Sequence, residues 1–474
     1  MPLLPTIKEE DSQTWLQQLW QCRMQMQLMI PASTVFFAGG LKLGWSVFES
    51  PPAHFDYDYD SNLLTVSLFI GCILGAAIAS FFVGRVTKNI PHVASGTLLI
   101  LGGLLFMAVP NIFIALAFGC IFEGAALGLS QVQTFSIGPE MTHKDVRGFM
   151  MSIERCSIWF GILTQLTFTH LWYAFEPEPG HRTMQSGQIH GLVVACLGLI
   201  CIVATLRQHT ESPLLLIQQH RELAANAALK QLMDTQLTTM EVMRLREDCL
   251  QLLSIDADQS GWYTLRKRNV RPLLKVFILR GFVTLTMSQP FNRIFLSASW
   301  LGFNCETNCL YTIAAAGACG SLLGSLLIDR YGRRRMSVAT LLPATIFMLI
   351  AGGILEYFAN PNVAIIHDDL EIIACLMILF QFLICCGVSI AASIYMSEAF
   401  TITQKPKCIA AILIGENLLQ VALAFVVASK TVSGMVFFFS MGFLCMLLGL
   451  CVFFCMPETR LLTLYECLQK FKKV

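Results

Sequence analysis

The residues of this chain with the most chemical potential are charges set inside apolar runs: Glu123, Glu154, Arg155, Arg280 and Glu416, with Lys42 near the edge of a run. A charge within a membrane span is costly and turns toward a partner, a water-filled cavity or the protein interior. Glu123 and Glu154 are of the type that can carry a proton when burial raises their affinity for it. Arg155 lies eight residues past Arg147, roughly 12 Å along a helix axis, so it can snorkel to the inner headgroups. Lys42 has the same option outward. Glu154, Ser157, Gly161 and Gln165 recur on one helix face, polar enough to border a cavity. Glu416 and Gln420 are one turn apart on a later run, beside Asn417. Gln289 and Asn292 flank Pro290, which lacks an N–H and can break a helix. A broken helix beside polar side chains is a common binding-site device. No nucleophile constellation, metal-ligand spacing or phosphate loop is present, so neither enzyme activity, a cofactor nor a metal site is expected.

Membrane-crossing helices must position these groups. A span needs roughly 20 apolar residues. Twelve runs qualify, near 28–48, 62–83, 92–110, 111–136, 149–173, 188–206, 273–297, 308–328, 336–356, 371–396, 408–429 and 433–456. The fold class is therefore an all-α membrane protein with twelve transmembrane helices. Composition agrees: 55% of residues are hydrophobic and 13% charged, against about 25% charged in soluble domains. A net charge of +1 argues against a nucleic-acid partner. The 18 Cys form no zinc pattern or disulfide framework. Cys305 and Cys309 fall in an expected outer loop and could bridge, a helical spacing leaving their Cα atoms about 6 Å apart. The first 27 residues are polar and mixed in charge, so no cleavable leader is expected. No Asn-x-Ser/Thr sequon occurs.

Charge asymmetry orients the spans. With a cytosolic N-terminus the inner segments hold Arg85, Lys88, Lys144, Arg147, Arg330, Arg333, Arg334, Arg335, Lys405, Lys407, Lys470, Lys472 and Lys473. The outer segments near 49–61, 298–307 and 357–370 hold no Lys or Arg. Only Arg182, Arg293 and Lys430 break the pattern, so both termini are expected inside. The expected divisions are an N-terminal segment 1–27, a six-helix bundle 28–206, a cytosolic linker 207–272, a second bundle 273–456 and a tail 457–474. Within the linker, 215–254 reads as one or two amphipathic helices with Leu223, Leu229, Leu232 and Met233 as the apolar stripe. It ends on Arg266-Lys267-Arg268 and Arg271. It is expected to lie on the membrane face, with recognition of anionic lipid the weaker reading.

The halves echo each other. Gly75 precedes Arg85 by ten residues, as Gly320 precedes Arg330; Glu140 precedes Arg147 by seven, as Glu398 precedes Lys405. Two six-helix repeats with a central linker are the architecture of major facilitators, whose solute sites lie between the halves near mid-membrane. The most specific motif is Gly324 through Arg334, reading Gly-Ser-Leu-Leu-Ile-Asp-Arg-Tyr-Gly-Arg-Arg across an inner turn. Gly332 suits the turn, Asp329 suits a helix N-terminus, and the arginines suit carboxylate partners.

With these residues the chain resembles the sugar-transporter family of major facilitators, as a divergent member. Glu140 through Arg147-Gly148 resembles the family's Glu-x-x-Pro-x-x-x-Arg-Gly stretch, Glu211-Ser212-Pro213 its Pro-Glu-Ser-Pro, and Pro457-Glu458-Thr459-Arg460 its Pro-Glu-Thr-Lys-Gly. The resemblance covers nearly the whole chain and implies two six-helix bundles. It also implies an inner-face latch of Glu140, Arg147, Asp329, Arg333, Glu398 and Glu458, with Arg85, Arg330 and Arg334 as further candidates. Such partly desolvated ion pairs suit a switch.

The departures carry information. The first-half inner turn reads Gly84-Arg85-Val86-Thr87-Lys88-Asn89, without the family's acid, glycine and second arginine, so its latch is expected to be weaker. The fourth span reads Gly119-Cys120 where the family has Gly-Arg. By offset, the family's fifth-span Gln becomes Arg155, Gln165 lies near a second Gln, the seventh span keeps only Asn292 of a Gln/Asn set near Gln289, and the first-span Gln becomes Lys42 before Gly44-Trp45-Ser46. Glu416, Asn417 and Gln420 occupy the eleventh-span site region. The candidate cavity residues are therefore Lys42, Trp45, Arg155, Gln165, Gln289, Asn292, Glu416, Asn417 and Gln420. Ser46 stands where proton symporters of the family carry an acid, so facilitated diffusion is expected over proton coupling. The expected partners are a small polar solute, sugar or sugar-like, and membrane lipid, around a monomer in the plasma membrane. Arg155 and Lys42 in place of Gln suggest a solute with negative charge. A non-transporting membrane sensor of the same fold is the competing reading.

Overall fold

The computed structural model describes residues 22–48, 59–174, 185–208, 210–232, 239–257, 269–302, 310–358, 367–428 and 434–473. Cys305, Cys309, Arg182, Lys430, Met233 and the Arg266–Arg268 run lie outside the described residues.

The first bundle contains α1 (Arg23–Leu43, continued by a π turn, Gly44–Phe48), α2 (Tyr59–Phe82), α3 (Asn89–Ala108), α4 (Phe113–Ile137), α5 (Arg147–Ala174) and α6 (Ser186–Leu206). The linker holds α7 (Pro213–Gln218), α8 (Glu222–Leu232) and α9 (Thr239–Ala257). The second bundle contains α10 (Val270–Thr286), α11 (Gln289–Gly302), α12 (Leu310–Tyr331), α13 (Arg333–Phe358), α14 (His367–Cys386), α15 (Val388–Glu398), α16 (Lys405–Ala428) and α17 (Gly434–Cys455). The short α18 (Leu464–Lys473) follows. α10 with α11 makes one interrupted span, and α14 with α15 another, giving six spans on each side of the linker.

Ten spans among the described residues are long and apolar enough to cross a membrane. The other two depart for visible reasons. α5 carries Glu154 and Arg155 in its first half and Gln165 and His170 in its second. The seventh span is split into 17- and 14-residue pieces. The split falls at Met287-Ser288, whose amides bond to the carbonyls three residues back, Thr284 and Leu285, at 3.2 and 3.3 Å. Pro290 then sits in the first turn of α11, where its missing N–H costs no helical bond.

Small residues let the helices approach. A Cβ on Gly75 of α2 would fall on the Ala125 carbonyl of α4. Ile70, Leu74 and Ile78, one turn apart along α2, are exposed, as a lipid-facing stripe requires. The two bundles meet chiefly along α2 against α16 and α5 against α12. In the second seam, fully buried Trp159 lies where a Cβ on Gly317 would be.

The linker is tied to the first bundle. Gln25 Nε2 donates to the Leu232 carbonyl (3.1 Å), while its Oε1 accepts from the His143 amide (2.9 Å). Leu229 and Leu232 are buried as the amphipathic reading requires, but Leu223 is 88% exposed and does not belong to the stripe. It sits in the first turn of α8, directed away from the packed face.

Candidate functional site

A cavity of about 50 Å³ lies between the bundles, lined by Leu43, Phe69, Cys72, Leu127, Gln131, Arg155, Ile158, Thr284, Met287, Glu416, Asn417 and Gln420. These residues come from α1, α2, α4, α5, α10, α16 and the break after α10. The volume holds a few waters and is far below the roughly 300–1,000 Å³ of an open small-molecule site. The centre is therefore closed around its own polar groups.

Four charges close it. Glu154 is fully buried and receives Arg155 Nε at 3.2 Å and Arg280 Nη1 at 3.3 Å. Ser393 Oγ donates to it at 2.8 Å and Gln131 Nε2 at 2.9 Å. Arg280 donates from Nε to Glu416 Oε2 at 2.9 Å and from Nη1 to Ser393 Oγ at 3.0 Å. Arg155 Nη2 reaches Glu416 Oε1 at 3.4 Å. Desolvating an ion costs several kcal/mol, which multiple partners of opposite sign must offset. Two arginines and two carboxylates achieve that here. Arg155 thus pairs within the protein rather than snorkelling, because two carboxylates stand within reach. The positive charge that suggested an anionic solute is already matched.

Other polar candidates lie around this quartet. Gln420 Nε2 donates to the Thr284 carbonyl (3.1 Å) at the α10 break, and Asn417 Nδ2 to the Leu413 carbonyl (2.7 Å). Gln289 Nε2 reaches Thr65 Oγ1 across the bundles (3.4 Å). Asn292 is buried. Gln289 and Asn292 do not line the cavity, since the helix break turns them to the next level of the span.

The α5 face of Glu154, Gly161 and Gln165 does not border the cavity as a whole. A Cβ on Gly161 would fall on the Phe37 carbonyl, so α1 covers this face. Gln165 instead joins a second polar cluster inside the first bundle. Its Oε1 accepts from His190 Nδ1 at 3.1 Å. His190 Nε2 lies 3.5 Å from Glu123, and Lys42 Nζ lies 3.7 Å from the same carboxylate. Lys42 is 0% exposed and sits 3.6 Å over the Phe106 ring and 4.1 Å over Trp45. Snorkelling of Lys42 is overturned: the ammonium points inward because Glu123 and two aromatic faces receive it. Trp45 stacks on His190 with centroids 6.0 Å apart. Lys42, Trp45 and Gln165 therefore serve this cluster and not the central cavity lining. Reading the sequence by charge alone missed His190, although a histidine within an apolar run was the available signal.

The inner face is joined across the bundles. Asp329, at the end of α12, accepts from the amides of Gly148 (3.2 Å) and Phe149 (2.8 Å), capping α5. Arg333 Nη2 pairs with Asp329 at 3.0 Å and approaches Glu398 at 3.9 Å. Arg147 Nη1 pairs with Glu398 at 3.7 Å and donates to the Leu462 carbonyl at 3.1 Å. Glu458 accepts from the amides of Arg333 (3.0 Å) and Arg334 (3.1 Å), capping α13. The turn between α12 and α13 needs Gly332, whose φ is +93°. Three expected latch members stand apart. Arg85 and Arg330 are exposed and make no ion pair among the described residues. Arg334 donates to the Phe453 carbonyl and covers the Phe453 ring, so it grips its own bundle. Glu140 accepts from Ser212 Oγ (2.8 Å), tying α4 to the linker, and it shares a small pocket with Lys405 and Glu398 of the second bundle, so it faces across the bundles as the latch reading requires. The first-half turn, which has no acid of its own, is held from the linker: Lys88 Nζ donates to Gln208, and the Lys88 amide to Glu211. The helix N-terminus expected for Asp329 is that of α5, on the other bundle, while the amides that Glu458 caps could not be read from charge spacing.

The comparisons with known proteins follow this geometry. A family model described as "Sugar (and other) transporter" matches residues 42–471. The facilitated glucose transporter member 12 of solute carrier family 2 from Mus musculus is 23% identical over 287 residues, covering 58% of this chain and 43% of that protein. A probable inositol transporter 3 from Arabidopsis thaliana is 22% identical over 307 residues, covering 61% and 50%. The chain thus spans about half the length of the curated relatives it matches. Among solved structures, the proton:xylose symporter XylE bound to 6-bromo-6-deoxy-D-glucose superposes with a TM-score of 0.75 at 14% identity, over 94% of this chain and 98% of that one. The inward-open xylose transporter XylE from E. coli gives 0.61 at 16% identity, over 95% and 99%. The twelve-span, two-bundle architecture is the major facilitator fold, and the chain belongs to the sugar-transporter family.

Proposed function

We propose that this protein is a facilitative carrier that moves a small polar solute, sugar or sugar-like, by alternating access. The observation that carries the reading is the pairing of two features on one axis. A cavity that presents Arg155, Glu416, Asn417 and Gln420 lies between the bundles, and below it the Asp329 cap and the Arg147–Glu398 pair shut the inner face. A permanent clamp can rest on apolar packing alone, whereas a rocking carrier needs contacts that break and re-form. The cavity ligands are Arg155, Glu416, Asn417 and Gln420, with Gln289 and Asn292 reached as the seventh span moves. The relatives named for glucose and inositol transport support a polyhydroxy solute. The protein acts in the plasma membrane with both termini in the cytosol, and proceeds as a monomer.

The Lys42–Glu123–His190 cluster supports a second reading, in which solute movement is coupled to a proton. It places three titratable groups from α1, α4 and α6 in one buried site. Radiolabelled uptake into proteoliposomes, against hexoses, disaccharides, polyols and sugar acids, separates the two. Saturable uptake of one class without a pH gradient is expected. Uptake that requires an inward proton gradient favours the second reading. Binding without flux, in folded protein, contradicts both and describes a sensor.

A further inference from the structure

The four central charges divide evenly between the bundles. Glu154 and Arg155 both belong to α5 and lie 3.2 Å apart. Arg280 of α10 and Glu416 of α16 belong to the second bundle and lie 2.8 Å apart. The contacts between the bundles are longer, at 3.4 Å for Arg155–Glu416 and 3.3 Å for Arg280–Glu154. Removing one member of a buried pair leaves an uncompensated charge, while a pair that stays together does not. Each bundle therefore keeps a neutral pair when the two part.

Of the four, only Arg155 and Glu416 line the cavity, and they are its only charged lining residues. We infer that Arg155 and Glu416 determine specificity by charge balance: they admit a polyhydroxy solute with no net charge and reject its anionic and cationic analogues. This rests on the cavity being the solute site. A sugar hydroxyl both donates and accepts, so one hydroxyl can accept from Arg155 while its neighbour donates to Glu416, replacing the 3.4 Å contact between the bundles. A carboxylate bound at Arg155 would sit beside Glu416 and Glu154. An ammonium bound at Glu416 would sit beside Arg155 and Arg280. A neutral solute meets neither repulsion. The arginine at this position is thus a partner to a carboxylate and not a receptor for an anion.

The test compares three sugars of one shape: D-glucose, D-glucuronate and, at mildly acidic pH, D-glucosamine. Binding is measured on the purified full chain in nanodiscs, and each charged sugar is expressed relative to glucose in the same protein. The wild type is expected to favour glucose over both by at least about tenfold, equivalent to about 1.4 kcal/mol. Glu416→Gln leaves one excess positive charge and is expected to raise the glucuronate-to-glucose ratio at least about tenfold. Arg155→Gln leaves one excess negative charge and is expected to raise the glucosamine ratio. The double variant is neutral again and restores both ratios, and it keeps the test open should a single variant fold poorly. Glucose binding with ratios that ignore these changes overturns the inference and leaves the cavity reading intact. A wild type that binds glucuronate or glucosamine as tightly as glucose overturns it without any variant. No binding of any of the three to folded wild type overturns the cavity reading and the inference together.

Discussion

Replacing Asp329 by Asn tests the inner latch with the smallest change of shape. Both Asp329 oxygens are used, by the Gly148 and Phe149 amides at 3.2 and 2.8 Å, and Arg333 adds a partner at 3.0 Å. The asparagine keeps one acceptor and turns an NH₂ toward the other amide. The lost charge-assisted bond is worth about 1.5–3 kcal/mol. The lost charge at the α5 N-terminus adds about 0.3–1 kcal/mol. Together this is about 2–4 kcal/mol, a roughly 30- to 800-fold shift in population at 1.36 kcal/mol per decade, toward the inner-open state. Hydrogen exchange in nanodiscs reads it directly. Deuterium uptake should rise in peptides covering 146–152 and also in those covering 456–463, which Asp329 does not touch. A rise confined to 146–152 would mean local fraying. Unchanged uptake in both would refute the latch.

Further expectations follow from packing and charge. Lys42→Met strands Glu123, whose remaining polar neighbour is the His190 ring. It is expected to cost about 3–5 kcal/mol, and Lys42→Met with Glu123→Gln to recover most of it, by thermal unfolding in detergent. Gly317→Val drives a side chain into Trp159 at the α5–α12 seam and is expected to cost about 1–3 kcal/mol. A thermal midpoint equal to wild type would contradict that packing. Lys88, in the loop before α3, is brought down from 10.5 to about 8 by burial, with Glu211 partly opposing. The unfolded chain then binds more protons between those values, so stability should rise with pH across that window. Lys88→Met should flatten this rise when midpoints are compared near pH 8 and pH 10. A rise equal to the wild type's would show that Lys88 is not its source.

The spans were legible because lipid allows one backbone solution and hydrophobic length reports it. The inner turn was legible because Asp329 and Gly332 have few other uses at that spacing. What the sequence hid were partners distant in the chain. Arg155 reads as an excess positive charge until Glu416, 261 residues away, is placed beside it. Lys42 reads as an outward snorkel until α4 and α6 supply Glu123 and His190. Arg334 looks like a latch arginine, yet Phe453 of its own bundle takes it. Local pattern gives the position of a charge along a helix, while its role depends on which helix faces it.

Counterflow in proteoliposomes tests the central claim most directly. Vesicles are loaded with unlabelled glucose and diluted into tracer glucose. An alternating-access carrier returns labelled solute as unlabelled solute leaves, so the account predicts a transient overshoot above equilibrium. Monotonic filling that scales linearly with concentration would indicate a pore, and an absence of flux from folded protein would contradict transport.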